Sequence, residues 1–202
     1  MRESGQKGTD EDTEIVSLCK RGNTDAFELL VNKYQKKMLN ISYRMLGDYE
    51  EACEIVQDAF VSAYKSMKSF REESRFSTWL YKIVVNLSKN RLKQLRIKGH
   101  REELTLDNPA DSDNKHIKRD PVSGEPSVLD KIEKRERQDV VQRCINSLED
   151  EFREVIVLRD IHGFSYDEVG DMLKIKEGTV KSRLFRGREA LKNCLKRMLG
   201  DL

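Results

Sequence analysis

The chain has 202 residues, with 38 Lys or Arg against 36 Asp or Glu, and charged and hydrophobic residues each make up 37 % of it. The net charge of +2 decides nothing by itself, because charge is segregated along the chain, and the length allows one or two small domains. Three His and four Cys (Cys19, Cys53, Cys144, Cys194) lie far apart with no C-x-x-C pair, which leaves no metal-ligand spacing and predicts buried reduced thiols. Neither a Gly-rich phosphate loop nor a nucleophile motif is present, so no catalytic residue, metal or cofactor is expected.

The chain starts acidic (Asp10, Glu11, Asp12, Glu14), without the basic start and apolar run of a signal peptide. No stretch approaches the roughly 20 apolar residues of a membrane span, so a cytoplasmic protein without membrane insertion is expected. The first legible helix follows Gly22-Asn23-Thr24. It carries Phe27, Leu30, Val31, Tyr34, Met38 and Ile41 on one side and runs toward Leu46, where Gly47-Asp48 breaks it. The second turns Ala52, Ile55, Val56, Ala59, Phe60, Ala63 and Met67 inward. Its outer surface holds Asp48, Glu50, Glu51, Glu54 and Asp58 with no base until Lys65. Like charges in a row cost a few tenths of a kcal/mol per close pair, so the row reads either as a solvated face or as a docking surface for a basic partner.

The third segment opens with Phe70, Phe76, Trp79 and Tyr81, and from Lys82 to Arg101 it holds seven Lys or Arg and no acid. Basic residues hold phosphates, and neighbouring rings offer stacking faces for exposed bases, worth about 1 to 3 kcal/mol each. Phe70 is assigned to the core, Phe76 and Trp79 to base contacts, with Trp79 shared with the core. Asn86 and Asn90 are one turn apart with Lys93 near the same face, and Lys89 lies in the same basic run. This constellation suits single-stranded better than duplex DNA.

All three prolines (Pro109, Pro121, Pro126) fall in a polar region rich in Asp, Asn and Ser. Residues 102 to 130 count eight acids and three bases. A flexible acidic linker is expected over 99–126, dividing an N-terminal domain (10–98) from a C-terminal one (127–200). Neither domain shows strand-like alternation, so the expected fold is all-α, the C-terminal domain a four-helix unit.

In that unit Val128, Leu129, Ile132, Val140, Val141, Cys144, Ile145 and Leu148 mark one helix. Phe152, Val155, Ile156 and Leu158 mark the next, which ends near His162-Gly163, Gly163 being a candidate for the left-handed terminating position. His162 reads as a helix cap rather than a ligand or base. Ser165 and Glu168 fit a capping box. After the turn Lys174–Gly178, Val180, Leu184, Leu191, Leu195 and Met198 share an apolar stripe with Gly187. The opposite face holds Thr179, Lys181, Ser182, Arg183, Arg186 and, further round, Arg188. From Lys174 to Leu202 nine bases face three acids. This is a helix-turn-helix presenting forked donors to a major groove.

GTVKSRLFRGREAL (178–191), EACEIVQDAF (51–60) and FREESRFSTWLYKIVVN (70–86) together resemble the extracytoplasmic-function sigma factors of bacterial RNA polymerase, over nearly all of residues 15–198. The resemblance implies a dissociable subunit that recognises promoters, opens the strands and starts transcription, of a stress or envelope-response regulon. Its implied partners are core RNA polymerase (the clamp of the large subunit and the flap), promoter DNA in duplex and single-stranded form, and an anti-sigma factor. Glu51, Glu54, Gln57 and Asp58 align with the clamp-docking segment and Asn86 with the strand-reading one, where Asn90 and Lys93 replace the more usual Asp and Arg. Lys181, Ser182, Phe185 and Arg186 align with residues facing the distal element, which sets Phe185 against DNA. Gly170 and Gly187 replace the usual alanines.

The rival reading is a free-standing helix-turn-helix regulator with a sensing domain. Nothing in 10–98 marks a ligand pocket, and that reading leaves the aromatic-basic cluster at 70–101 unexplained. A nuclease would need clustered inward carboxylates or a metal set, whereas the acids here spread over one outer helix face.

Overall fold

The computed structural model describes residues 12–103 and 128–200. Asn23 starts a long helix because its side chain accepts from the Ala26 N–H at 3.0 Å, and Gly47, in the left-handed conformation at φ 79°, ends it. Asp48 caps the next helix at once by accepting from Glu51 N at 2.8 Å. Ser165 starts a later helix in the same way, accepting from the Glu168 N–H. The first group of helices is α1 (Thr13–Lys20), α2 (Thr24–Leu46), α3 (Tyr49–Ser66) with a 3-10 turn Met67–Ser69, and α4 (Phe76–Glu103). The second group is α5 (Val128–Asn146), α6 (Asp150–Val155) continuing as a π-helical turn Ile156–Ile161, α7 (Tyr166–Leu173) and α8 (Glu177–Leu199). No strand occurs among the described residues, and none of the helices there is long and apolar enough to cross a membrane.

In the first group, α2, α3 and α4 pack around Leu30, Met38, Ile41, Met45, Ala59 and Leu80, all essentially inaccessible to solvent. Ala52, Ala59 and Ala63 let α3 approach closely, and Ser42 and Ser88 share a buried 3.0 Å hydrogen bond where α2 meets α4. The sequence reading missed α1. It is pinned to α2 by Asp12, whose fully buried carboxylate meets Lys33 at 2.7 Å and accepts from the Tyr34 hydroxyl.

The second group is the expected four-helix unit. Gly163 adopts the left-handed conformation, and Ser165 with Glu168 forms the complete capping box of α7. α4 extends five residues beyond the expected domain end at 98; the acidic linker over 104–126 lies outside the described residues, as do the side chains of Val128, Leu129 and Ile132.

The two groups pack on each other. Arg153, only 5 % exposed, lies at the seam. Its guanidinium donates to the carbonyls of Ile145 (3.1 Å), Leu148 (3.0 Å) and Asn146 in its own half and of Met45 (3.0 Å) in α2. Burial lowers the pKa of this cation, but four carbonyls offset the desolvation that an unpartnered charge would suffer. Beside it Arg44 donates to Gln142 at 2.7 Å. A Cβ on Gly47 would lie 2.3 Å from Asn146 Nδ2, so the left-handed turn also lets α5 approach α2.

Candidate nucleic-acid and partner surfaces

α8 is seated by Val180, Leu184 and Gly187. A Cβ on Gly187 would fall 3.0 Å from Ile156 Cγ1 and 3.2 Å from Phe152 Cβ, and one on Gly170 would fall 2.8 Å from the Ile175 carbonyl oxygen. Where the sequence suggests only a loss of helix propensity, the two glycines allow α7 and α8 to approach their neighbours.

That seating aims Lys181, Ser182, Phe185 and Arg186 outward, with Phe185 71 % exposed. Several of the expected contacts are nevertheless partly engaged within the protein. Lys181 meets Glu177 at 2.6 Å, and Ser182 donates to the Thr179 carbonyl at 3.0 Å. Arg183 reaches Glu151 at 2.6 Å, and Arg188 forks onto Asp160 at 2.9 and 2.6 Å, which raises its pKa. Arg186 has no ion-pair partner among the described residues. Its fork and the Phe185 ring are therefore the parts of this face most free to meet a groove.

On α4 the structure separates residues that the sequence grouped together. Phe76 is 1 % exposed and packs against Tyr34, Phe70 and Trp79. Its assignment to base contact is corrected: the ring is core, because the turn before α4 folds Phe70 over it. Trp79 is half-buried, 4.8 Å from the Phe70 ring, which gives it the core contact expected of it. Asn86, Asn90 and Lys93 are all exposed along one stripe. An adjacent stripe, Lys82, Lys89 and Arg96, faces the second group instead. These residues pair with Asp171 (3.5 Å), Glu154 (3.1 Å) and Asp150 (2.7 Å).

On α3, Glu54, Gln57 and Asp58 are exposed as expected, and Glu51 is half-buried. The acidic row is not unopposed, however. Arg91 of α4 bonds Glu51 and approaches Glu54 at 3.0 Å. The sequence reading also missed that Val61 and Tyr64 are exposed on this helix. Their spacing from Glu54, Gln57 and Asp58 was the available signal, since 54, 57, 58, 61 and 64 trace one helical face.

Between the groups a cavity of about 510 Å³ opens, lined by Lys33, Lys37 and Arg75, by Ser77 and Thr78 in the first turn of α4, and by His162. The His162 ring has no hydrogen-bond partner at Nε2, and burial, with Lys37 and Arg44 nearby, lowers its pKa to about 4. It sits as a neutral imidazole at the end of the π-helical turn. Among the described residues no His, Cys, Asp or Glu cluster could hold a metal.

The cysteine expectation is half corrected. Cys19 and Cys53 are free thiols, but Cys144 and Cys194 form a disulfide that joins α5 to α8. Fifty residues separate them, and only the fold brings their Cα atoms to 5.6 Å.

Two family models match the chain, Sigma-70 region 2 over residues 30–97 and Sigma-70, region 4 over residues 138–191. The RNA polymerase sigma-H factor of Pseudomonas aeruginosa is 35 % identical over 193 residues, 95 % of this chain and 97 % of that protein. The ECF RNA polymerase sigma factor SigW of Bacillus subtilis is 37 % identical over 181 residues, 90 % and 95 % of the two chains. The ECF RNA polymerase sigma-E factor of Escherichia coli K12 is 34 % identical over 184 residues, 90 % and 93 %. Two solved structures share the fold at 23 % identity. CnrH in complex with the cytosolic domain of CnrY has a TM-score of 0.63 over 92 % of this chain and 97 % of that one. The sigma factor RpoE in complex with the anti-sigma factor NepR from Bartonella quintana has a TM-score of 0.60 over 86 % and 98 %.

Proposed function

The chain belongs to the extracytoplasmic-function sigma factors of bacterial RNA polymerase, and on that premise we propose how its surfaces divide the work. As a sigma factor it binds core RNA polymerase and directs promoter recognition, strand opening and transcription initiation. The C-terminal half (127–200) reads duplex DNA through Thr179, Lys181, Ser182, Phe185 and Arg186, with Arg183 and Arg188 at the margins, where they can exchange their carboxylates for phosphates. The N-terminal half (10–98) holds one separated strand on Trp79, Asn86, Asn90 and Lys93, and Lys89 joins them once it is released from Glu154. Trapping unstacked bases offsets the cost of unstacking, so opening is driven by binding. Glu51, Glu54, Gln57 and Asp58 dock on the polymerase clamp. The chain carries no catalytic group of its own and acts in the cytoplasm, on a stress-response regulon. The company of an anti-sigma factor around RpoE of Bartonella quintana supports a similar regulator here.

The observation that carries this reading is that the two nucleic-acid faces, the outer side of α8 and the Asn86–Lys93 stripe of α4, lie on different helical units. A duplex reader alone needs only the first. The test is promoter retention and run-off transcription with and without core polymerase. The expected result is specific binding and transcripts only with core enzyme. Tight, specific duplex binding by the chain alone would make it a free-standing regulator.

A further inference from the structure

The first half of α8 is seated by Val180, Leu184 and Gly187, but beyond Gly187 no residue of the helix is fully buried. Leu191, Cys194 and Leu195 are only half-buried, so the one covalent fixed point of this second half is the link from Cys194 to Cys144 of α5. Cys144 is 0 % exposed and lies between Gln142, which binds Arg44 of α2, and Asn146, which packs on Gly47. The link thus ties the DNA-facing helix to a helix that packs on α2 across the seam. Closing a loop of 50 residues constrains the unfolded chain strongly.

A protein working on promoter DNA works where small thiols keep disulfides reversible, a step that rests on the function proposed above. We infer that Cys144 and Cys194 are a thiol–disulfide exchange site whose oxidised form clamps the second half of α8 and whose reduced form releases it. Cys194 is the point of entry, because that residue is half-buried while Cys144 is sealed. Ser147 Oγ, which donates to the Cys144 carbonyl at 2.9 Å, also lies 3.8 Å from Cys194 Sγ. In reduction, a small-molecule thiolate attacks Cys194 Sγ, the disulfide breaks, and Cys144 leaves as a thiolate that takes a proton. A second thiol then attacks the outer sulfur of the mixed disulfide and frees Cys194. Two electrons pass to the protein, and two small thiols become one small disulfide. Oxidation by a small-molecule disulfide such as oxidised glutathione is the reverse.

The test uses the full chain equilibrated with oxidised or reduced glutathione. Alkylation after denaturation is expected to label two cysteines in the oxidised protein and four in the reduced one. Reduction should lower the Tm on the order of 10 °C. With core polymerase, promoter retention should weaken several-fold on reduction. The double variant Cys144→Ser, Cys194→Ser should behave as the reduced form under both conditions. Four labelled thiols under oxidised glutathione, or equal Tm and equal retention in the two states, would overturn the inference. Absence of promoter retention in both states would instead fault the promoter-reading function, while the labelling and Tm shifts would still report on the exchange site.

Discussion

Lys89 Nζ lies 3.1 Å from Glu154 Oε2, so a cation of α4 is held by a carboxylate of α6 across the seam. Glu154 is only 6 % exposed, and burial pushes its pKa up while Lys89 pulls it down, the balance expected of a desolvated pair. With Lys82–Asp171 and Arg96–Asp150 it forms a row of three contacts across the seam. The packed arrangement therefore engages Lys89, the cation proposed above to join the strand contacts. Glu154→Gln with Asp171→Asn is expected to loosen the seam and to raise the affinity of the free chain for a single-stranded oligonucleotide by a few-fold. Exposed pairs contribute only about 0 to 1 kcal/mol each, so a larger effect would have to come from Glu154. Fluorescence anisotropy measures the affinity and small-angle scattering the separation of the halves. No change in either would show that the row does not restrain opening.

Arg186→Ala is expected to weaken distal-element binding and to relax base choice there. The guanidinium fork matches the paired acceptors of guanine, at about 1 to 3 kcal/mol for a good pair. Lys192, exposed further along the helix, should act through phosphates, so Lys192→Ala should lower affinity equally on every sequence. Binding isotherms of the polymerase complex on matched and mismatched promoters separate the two. Equal losses on both for Arg186→Ala would remove its base-reading role.

What the sequence made legible was local in origin. α2 announces itself through its cap, apolar spacing and terminating glycine, and α8 through the apolar spacing of Val180, Leu184 and Leu191. What stayed hidden depends on residues far apart in the chain. α1 is a short helix whose position depends on Asp12 reaching Lys33 and Tyr34. Phe76 looked available because the fold of Phe70 and Trp79 around it is tertiary. Arg91 is 40 residues from Glu51, and the Cys144–Cys194 link spans 50, so neither pairing can be read from spacing. Arg153 reads as an interruption of an apolar run until the Met45 carbonyl is brought to it.

Glu54→Lys with Asp58→Lys is expected to abolish association with core polymerase while leaving the fold intact, since both side chains are exposed. The first substitution also replaces the carboxylate that Arg91 meets at 3.0 Å with a second cation, so circular dichroism and thermal unfolding must accompany the pull-down. Normal helicity with unchanged holoenzyme would take the acidic row out of the interface.

Stability should fall on acidification because of His162. Its pKa is lowered from 6.5 to about 4 in the folded chain, chiefly by burial and then by Lys37 and Arg44. Above pH 6.5 the imidazole is neutral in both states and contributes no pH dependence. As pH falls below that, the unfolded chain takes up a proton the folded chain refuses, so stability drops progressively down to about pH 4. Glu154, with its raised pKa, acts in the opposite direction, so the contribution of His162 is read as a difference. Urea unfolding of His162→Phe should show a flatter profile than the parent between pH 6.5 and about pH 4. Parallel profiles would mean the imidazole titrates normally in the fold.

Strand opening supplies the last test. Asn86→Ala and Lys93→Ala should leave the closed promoter complex intact and impair separation of the strands, because on the function proposed above these exposed groups meet bases and backbone only after the duplex parts. Trp79→Ala should do the same less cleanly. Its ring packs on Phe70 and Phe76, and truncation opens a cavity that costs about 3 kcal/mol or more. Asn86 and Lys93 make no such core contact, so their defects report on nucleic acid alone. On a template with a pre-melted bubble the unstacking cost is already met, and both variants should recover much of their transcription. A defect of equal size on bubble and duplex templates would place the loss after opening, and the Asn86–Lys93 stripe would no longer be the surface that traps the strand.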